Sequence, residues 1–160
     1  MKILQANPEI PSMTMEEAEQ FLESKLNLQF ATVDSKGDPN IQPVWFHYDK
    51  NEEKLFIMTG KNTKKSQNVR GKPTIYFCIE DGNSPYKGVK GKGIATISDV
   101  VQTVISTSNK IIMKYLGTLD SPIAKAISER SKSGEGIIII IKPKFFSTWD
   151  FGKMTGNKVD

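Results

Sequence analysis

Apolar residues between Leu28 and Thr59 come in short blocks or at every second position, and clusters of turn-forming residues separate the blocks. Leu28 to Val33 reads as the first strand and residues 34–39 as a Gly- and Pro-containing turn. Asn40 to Tyr48 reads as the second strand, residues 49–53 as another polar turn, and Leu55 to Thr59 as the third strand. Thr74 to Glu80 alternates apolar and β-branched residues, as a fourth strand does. Tyr86 to Ile97 carries Gly88, Gly91 and Gly93, which predicts a bulged strand close to another backbone. The last strand runs from Ile137 to about Trp149 and is expected to bend at Pro143.

The helical period appears elsewhere. Thr14 and Glu17 form a capping-box pair that opens a helix reaching about Lys25. A short helix runs from Thr63 to Val69. From Asp99, residues Val100, Val101, Val104, Ile105, Ile111, Ile112 and Tyr115 form an apolar stripe that Gly117 ends. A further helix covers Ser121 to Lys132, and residues 1–12 read as an extended arm.

Six strands joined mostly by short turns predict a mainly β, α+β chain: an antiparallel barrel with flanking helices. Helices do not alternate with strands in the first half, which argues against a doubly wound sheet. Residues 1–160 are expected to form one domain. The formal net charge of +4 favours anionic partners without choosing among them. A single cysteine excludes an internal disulfide and, with no secretory pattern at the N-terminus, implies the cytoplasm. Residues 137–141 are too few to span a bilayer.

Candidate chemistry concentrates in residues 59–68. A strand runs into Gly60, and a helix opens at Thr63, a good N-cap residue whose next N–H groups point outward. Lys64 and Lys65 add positive charge, and Lys65 and Asn68 share a helix face. That pattern suits a phosphomonoester, although a capped helix with a solvated basic face has the same pattern. Pro43 donates no ladder hydrogen bond, so the strand around it belongs at an edge, where the backbone of Gln42 to Trp45 is open to a planar ligand. Core packing of Val44, Trp45 and Phe46 is the alternative. His47, on the same predicted strand face as Trp45, reads as a structural histidine or else a proton donor, and Cys78 as buried filler. Lys87, Lys90 and Lys92 read as a solvated sheet edge, or as a further ligand contact. One histidine and one cysteine leave no metal-ligand cluster. A nucleic-acid-binding barrel using those lysines lacks a repeated surface-aromatic motif.

The strings Gln-Pro-Val-Trp-Phe (42–46), Phe-Ile-Met-Thr-Gly (56–60) and Thr-Lys-Lys-x-x-Asn-Val (63–69), in this order and spacing, resemble the pyridoxamine 5′-phosphate oxidase-like family. The Leu-x-Phe-Ala-Thr-Val strand (28–33) and the Lys-Gly-Lys-Gly strand (90–93) are similar as well. The resemblance implies a flavin-binding split β-barrel and a homodimer with a cofactor at the subunit interface. By the same resemblance, Gln42, Pro43, Val44 and Trp45 would line the ring. Thr59, Thr63, Lys65 and Asn68 would hold the phosphate with help from Lys64, and Lys90 and Trp149 would close the site. The cofactor implied is FMN or the deazaflavin coenzyme F-420, and the implied activity is a small-molecule oxidoreductase. A flavin or haem carrier or sensor on the same barrel would share these residues. Residues 152–160 depart from the arginine-bearing C-terminal segment of the vitamin B6 oxidases, which argues against pyridoxamine phosphate as substrate.

Overall fold

A computed structural model describes residues 2–157, so the last three residues of that C-terminal departure lie outside it. The first half contains β1 (Ile3–Gln5), α1 (Met15–Leu22), β2 (Leu28–Val33), β3 (Pro39–Val44), β4 (His47–Asp49), β5 (Lys54–Gly60) and α2 (Lys64–Gly71). The second half contains β6 (Thr74–Asp81), β7 (Lys87–Ser98), α3 (Val101–Leu116), α4 (Pro122–Lys132) and β8 (Gly136–Asp150), followed by a 3-10 turn. Local signals set several ends. Thr14 and Glu17 form the capping box of α1, Ser121 caps α4, and Gly117 ends α3 at φ 69°.

The strands form one sheet in the order β3-β2-β6-β7-β8-β5-β4, with β1 added in parallel to β8. The expected six-stranded barrel is therefore corrected: the sheet has eight strands and its ends are not hydrogen-bonded to each other. Two departures account for the difference. Residues 3–5 of the arm pair with residues 146–148 of β8. The predicted strand from Asn40 to Tyr48 breaks at Trp45 and Phe46, because the Phe46 N–H is taken by the Tyr115 hydroxyl (3.4 Å) instead of a neighbouring strand.

That break shapes the molecule. β3 and β4 are the two ends of the sheet order, yet only Trp45 and Phe46 separate them, a span of at most about 11 Å. The sheet must therefore curl until its edges nearly meet, leaving an open seam. Inside the curl pack Leu28, Phe30, Leu55, Ile57, Phe77, Ile139, Ile141 and Phe146. The five isoleucines of β8 serve two layers, since Ile138 and Ile140 face outward onto Phe56, Met58 and Val104. α3 and α4 cover this outer layer.

The glycines of β7 behave as their spacing predicts. A register shift falls between Lys92 and Gly93, and a Cβ at Gly91 would lie 2.5 Å from the Phe145 carbonyl oxygen. The Trp149 indole covers Gly88. Cys78 differs from expectation: Ile75, Phe77 and Ile79 point into the core, so alternation turns Cys78 outward, where it is half-buried beside Lys90.

Candidate functional site

Two unpaired strand edges flank the seam. β3 is terminal in the sheet, so the outer edge of Gln42, Pro43 and Val44 has no strand partner. β5 pairs with β4 only through Lys54 to Phe56, which leaves Ile57 to Gly60 bonded on the β8 side alone. α2 lies across one end of the curl. Val69 inserts into the core, Asn68 donates to the Thr32 hydroxyl (3.0 Å) and Lys65 Nζ approaches the Thr59 hydroxyl (3.4 Å). Thr32 and Thr59 end the inward rows of β2 and β5, so both α2 side chains do share a face, but they reach different strands.

At the start of α2 the hydroxyls of Thr59 and Thr63 are 3.2 Å apart, and Thr63 donates to the Gly60 carbonyl (3.0 Å). Thr63 occupies the N-cap position, yet its side chain makes no capping bond to the helix. The first-turn N–H groups therefore keep their capacity for an anion. α4 adds a residue that the sequence pattern gave no reason to select. The Arg130 guanidinium packs over Gly60, close enough that a Cβ there would strike it. Burial, and then the charge of Arg130, hold the Lys65 ammonium below the ordinary lysine value. Among the described residues neither cation has a carboxylate within ion-pair distance. Two cations, two hydroxyls and an uncapped helix end thus converge on one place.

The other candidates are distributed around this centre. Lys64 is drawn away to Asp34 (3.2 Å). Asn68 belongs to a polar chain in which its amide bonds Thr32, Thr32 bonds the Asn40 carbonyl (3.5 Å), and the Gln42 amide bonds the Asn40 side chain (2.9 Å). This chain ties β3 to α2. Trp45 stacks on Tyr115 with ring centres 4.7 Å apart and planes 5° apart. The Tyr115 hydroxyl donates to the Leu26 carbonyl (2.8 Å), so α3 fixes the indole at the seam. The break at residues 45 and 46 cancels the alternation expected to relate Trp45 to His47, whose ring packs instead against Phe56. Burial, then the charge of Lys110, lower the His47 pKa, so at neutral pH the ring is uncharged.

Lys90 and Trp149 are not at this centre. Thr59 is in register with Ile137 at the start of β8, whereas Lys90 and Trp149 align with Ser147 and Gly88 near its end. Along the strand the separation between Ile137 and Trp149 is about 40 Å.

A curled sheet with two open edges has counterparts among known proteins. The family model for pyridoxamine 5′-phosphate oxidase matches residues 14–133. The chain belongs to this family. Among solved structures, it is similar to the conserved hypothetical protein Rv2991 from Mycobacterium tuberculosis, at 19% identity and a TM-score of 0.80 over 98% of this chain and 96% of that one. An F420 reductase is 25% identical with a TM-score of 0.68, over 84% of this chain and 98% of that one. HutZ, the haem storage protein from Vibrio cholerae, is 14% identical with a TM-score of 0.62, over 88% and 92% of the two chains. Among curated proteins, none matches the chain. The fold is thus shared with proteins whose names include a reductase and a storage protein.

Proposed function

We propose that the chain is a flavin- or deazaflavin-dependent oxidoreductase acting on a small molecule. The observation that carries this reading is the convergence of Thr59, Thr63, Lys65 and Arg130 on the uncapped start of α2. Two cations without acidic partners among the described residues, beside helix N–H groups left uncapped by Thr63, suit a phosphate. The seam beside it suits a flat ring, with the open backbone edge of Gln42, Pro43 and Val44 along its polar rim and the Trp45–Tyr115 stack fixing the wall. Such a ring supplies hydride or electron transfer when bound. The protein's own contribution is charge neutralisation at one end and an open backbone edge beside a fixed aromatic stack at the other. The similarity to an F420 reductase supports the deazaflavin as strongly as FMN.

A homodimer is the arrangement in which Lys90 and Trp149, site residues by resemblance, would take part. Within one chain they stand at the opposite end of β8 from the seat, so a second copy is the route by which they would reach a cofactor.

Absorption spectroscopy during titration with FMN and with coenzyme F-420 tests the reading. Lys65→Ala and Arg130→Gln each remove a charge-assisted contact of about 1.5–3 kcal/mol, which is a loss of roughly tenfold to a hundredfold in affinity. Binding of neither cofactor by the unaltered protein would end the proposal. Binding without turnover of NAD(P)H or reduced deazaflavin across a substrate panel would convert it to a carrier or sensor.

A further inference from the structure

Behind the anion seat lies a pocket that the proposed cofactor does not use. It occupies about 150 Å³ between the α3–α4 hairpin and the outer face of the sheet. Met58, Val104, Ile127 and Ile137 supply its apolar walls, and Arg130 and Thr59 belong to its lining as well as to the seat. Two hydroxyls face it, Ser108 and Ser131, and both are buried. They bond each other at 3.1 Å, and Ser131 also donates to the Ile127 carbonyl at 3.0 Å. The two serine hydroxyls of the wall are therefore engaged with each other and with the helix backbone. A cavity of this size with an apolar wall is matched to a single six-membered ring.

The charge at the pocket differs from its walls. Arg130 has no carboxylate partner among the described residues, and its guanidinium reaches toward Gly60, where the pocket and the seat meet. A planar guanidinium prefers a planar, bidentate anion such as a carboxylate. An apolar cavity beside an unpaired guanidinium is complementary to a molecule with an apolar body and one anionic end.

We propose that this pocket binds a small apolar carboxylate, aromatic or branched aliphatic and about the size of benzoate, with its carboxylate on Arg130 and its body between α3, α4 and β5. The site goes beyond the cofactor reading and does not require a flavin. It shares Arg130 with the proposed phosphate seat, so the two anions exclude each other.

Ligand-observed NMR and calorimetry with three probes test the site on the intact protein: benzoate, benzyl alcohol and inorganic phosphate. Benzoate is expected to bind at least tenfold more tightly than benzyl alcohol, which has the same ring without the charge. Phosphate is expected to displace it. Ile127→Phe fills the cavity and should abolish benzoate binding while phosphate binding persists, which also shows that the variant is folded. Arg130→Gln, on an exposed side chain, should lose both anions. The site is overturned if benzyl alcohol binds as well as benzoate, if Ile127→Phe binds benzoate undiminished, or if benzoate does not bind at all. Phosphate binding without benzoate binding would sink this site and leave the phosphate seat standing. The reverse result would sink the seat alone.

Discussion

At the scale of single residues, the seat depends on an absent side chain. Gly60 adopts no left-handed conformation; what matters is the space above it, which the Arg130 guanidinium fills. Gly60→Ala places a methyl group in that space. The displaced atoms are the far end of a flexible side chain, so the fold should tolerate the change while Arg130 leaves the seat. The expected outcome is a variant with an unchanged unfolding midpoint that binds phosphate or flavin as weakly as Arg130→Gln does. Normal anion affinity in Gly60→Ala would show that Arg130 is not part of the seat.

Lys114 gives a second residue-level prediction. Its ammonium donates to the Leu22 carbonyl (2.8 Å) and sits 3.6 Å above the Phe46 ring, and burial lowers its pKa to about 8. The unfolded lysine titrates near 10.4. Below about pH 8 both states carry the charge, and the folded state bears the full cost of holding it in a poorly solvated place. Between about pH 8 and 10.4 the unfolded chain holds a proton that the folded chain has released, so stability gains from rising pH. In urea unfolding, the difference between the unaltered protein and Lys114→Met should therefore grow in favour of the unaltered protein across that window. A difference that stays constant from pH 7 to pH 10 would contradict this.

At the scale of elements, what is legible in the sequence separates cleanly from what is not. Thr14, Ser121 and Gly117 mark helix ends through contacts within one turn, and each works in the fold as its residue type requires. The glycine spacing of β7 marks close approach, because only the missing Cβ lets Phe145 and Phe77 come so near. By contrast, the break between β3 and β4 is made by the Tyr115 hydroxyl, 69 residues away in sequence. Arg130 reaches the seat only because the α3–α4 hairpin folds back on the sheet, and no local pattern announces that return. Lys64 reads from sequence as an anion ligand, but a turn 30 residues earlier supplies Asp34 and claims it. The β7 geometry yields a measurable contrast. Gly91→Ala forces a methyl group against a backbone carbonyl and an aromatic ring, and should destabilise the protein by about 1–3 kcal/mol. Gly71→Ala, at the end of α2 with open space around it, should be neutral or slightly stabilising. Equal urea midpoints for the two variants would refute the close-approach account.

At the scale of the whole molecule, the outer face of β3, β2, β6 and β7 stands apart from the rest. Ile41, Ala31, Tyr76 and Lys92 align in one register row, and directly opposed residues share a face. Ile41 is 65% exposed and Tyr76 53% exposed, with the Lys92 ammonium 5.6 Å over the Tyr76 ring. Helices α3 and α4 are spent on the other side of the molecule, over β5 and β8. A second copy seated on this row would bury its apolar side chains and give Lys90 and Trp149 a destination. Ile41→Asp tests this at little risk to folding, because the side chain is already in water. Light scattering should find a dimer for the unaltered protein and a monomer for Ile41→Asp, with unchanged circular dichroism. Cofactor affinity should fall together with the dimer if the partner's residues close the site. A dimer that survives the substitution would move the interface elsewhere. A monomeric unaltered protein that still binds cofactor would leave the seat of Thr59, Thr63, Lys65 and Arg130 sufficient by itself and remove Lys90 and Trp149 from the site.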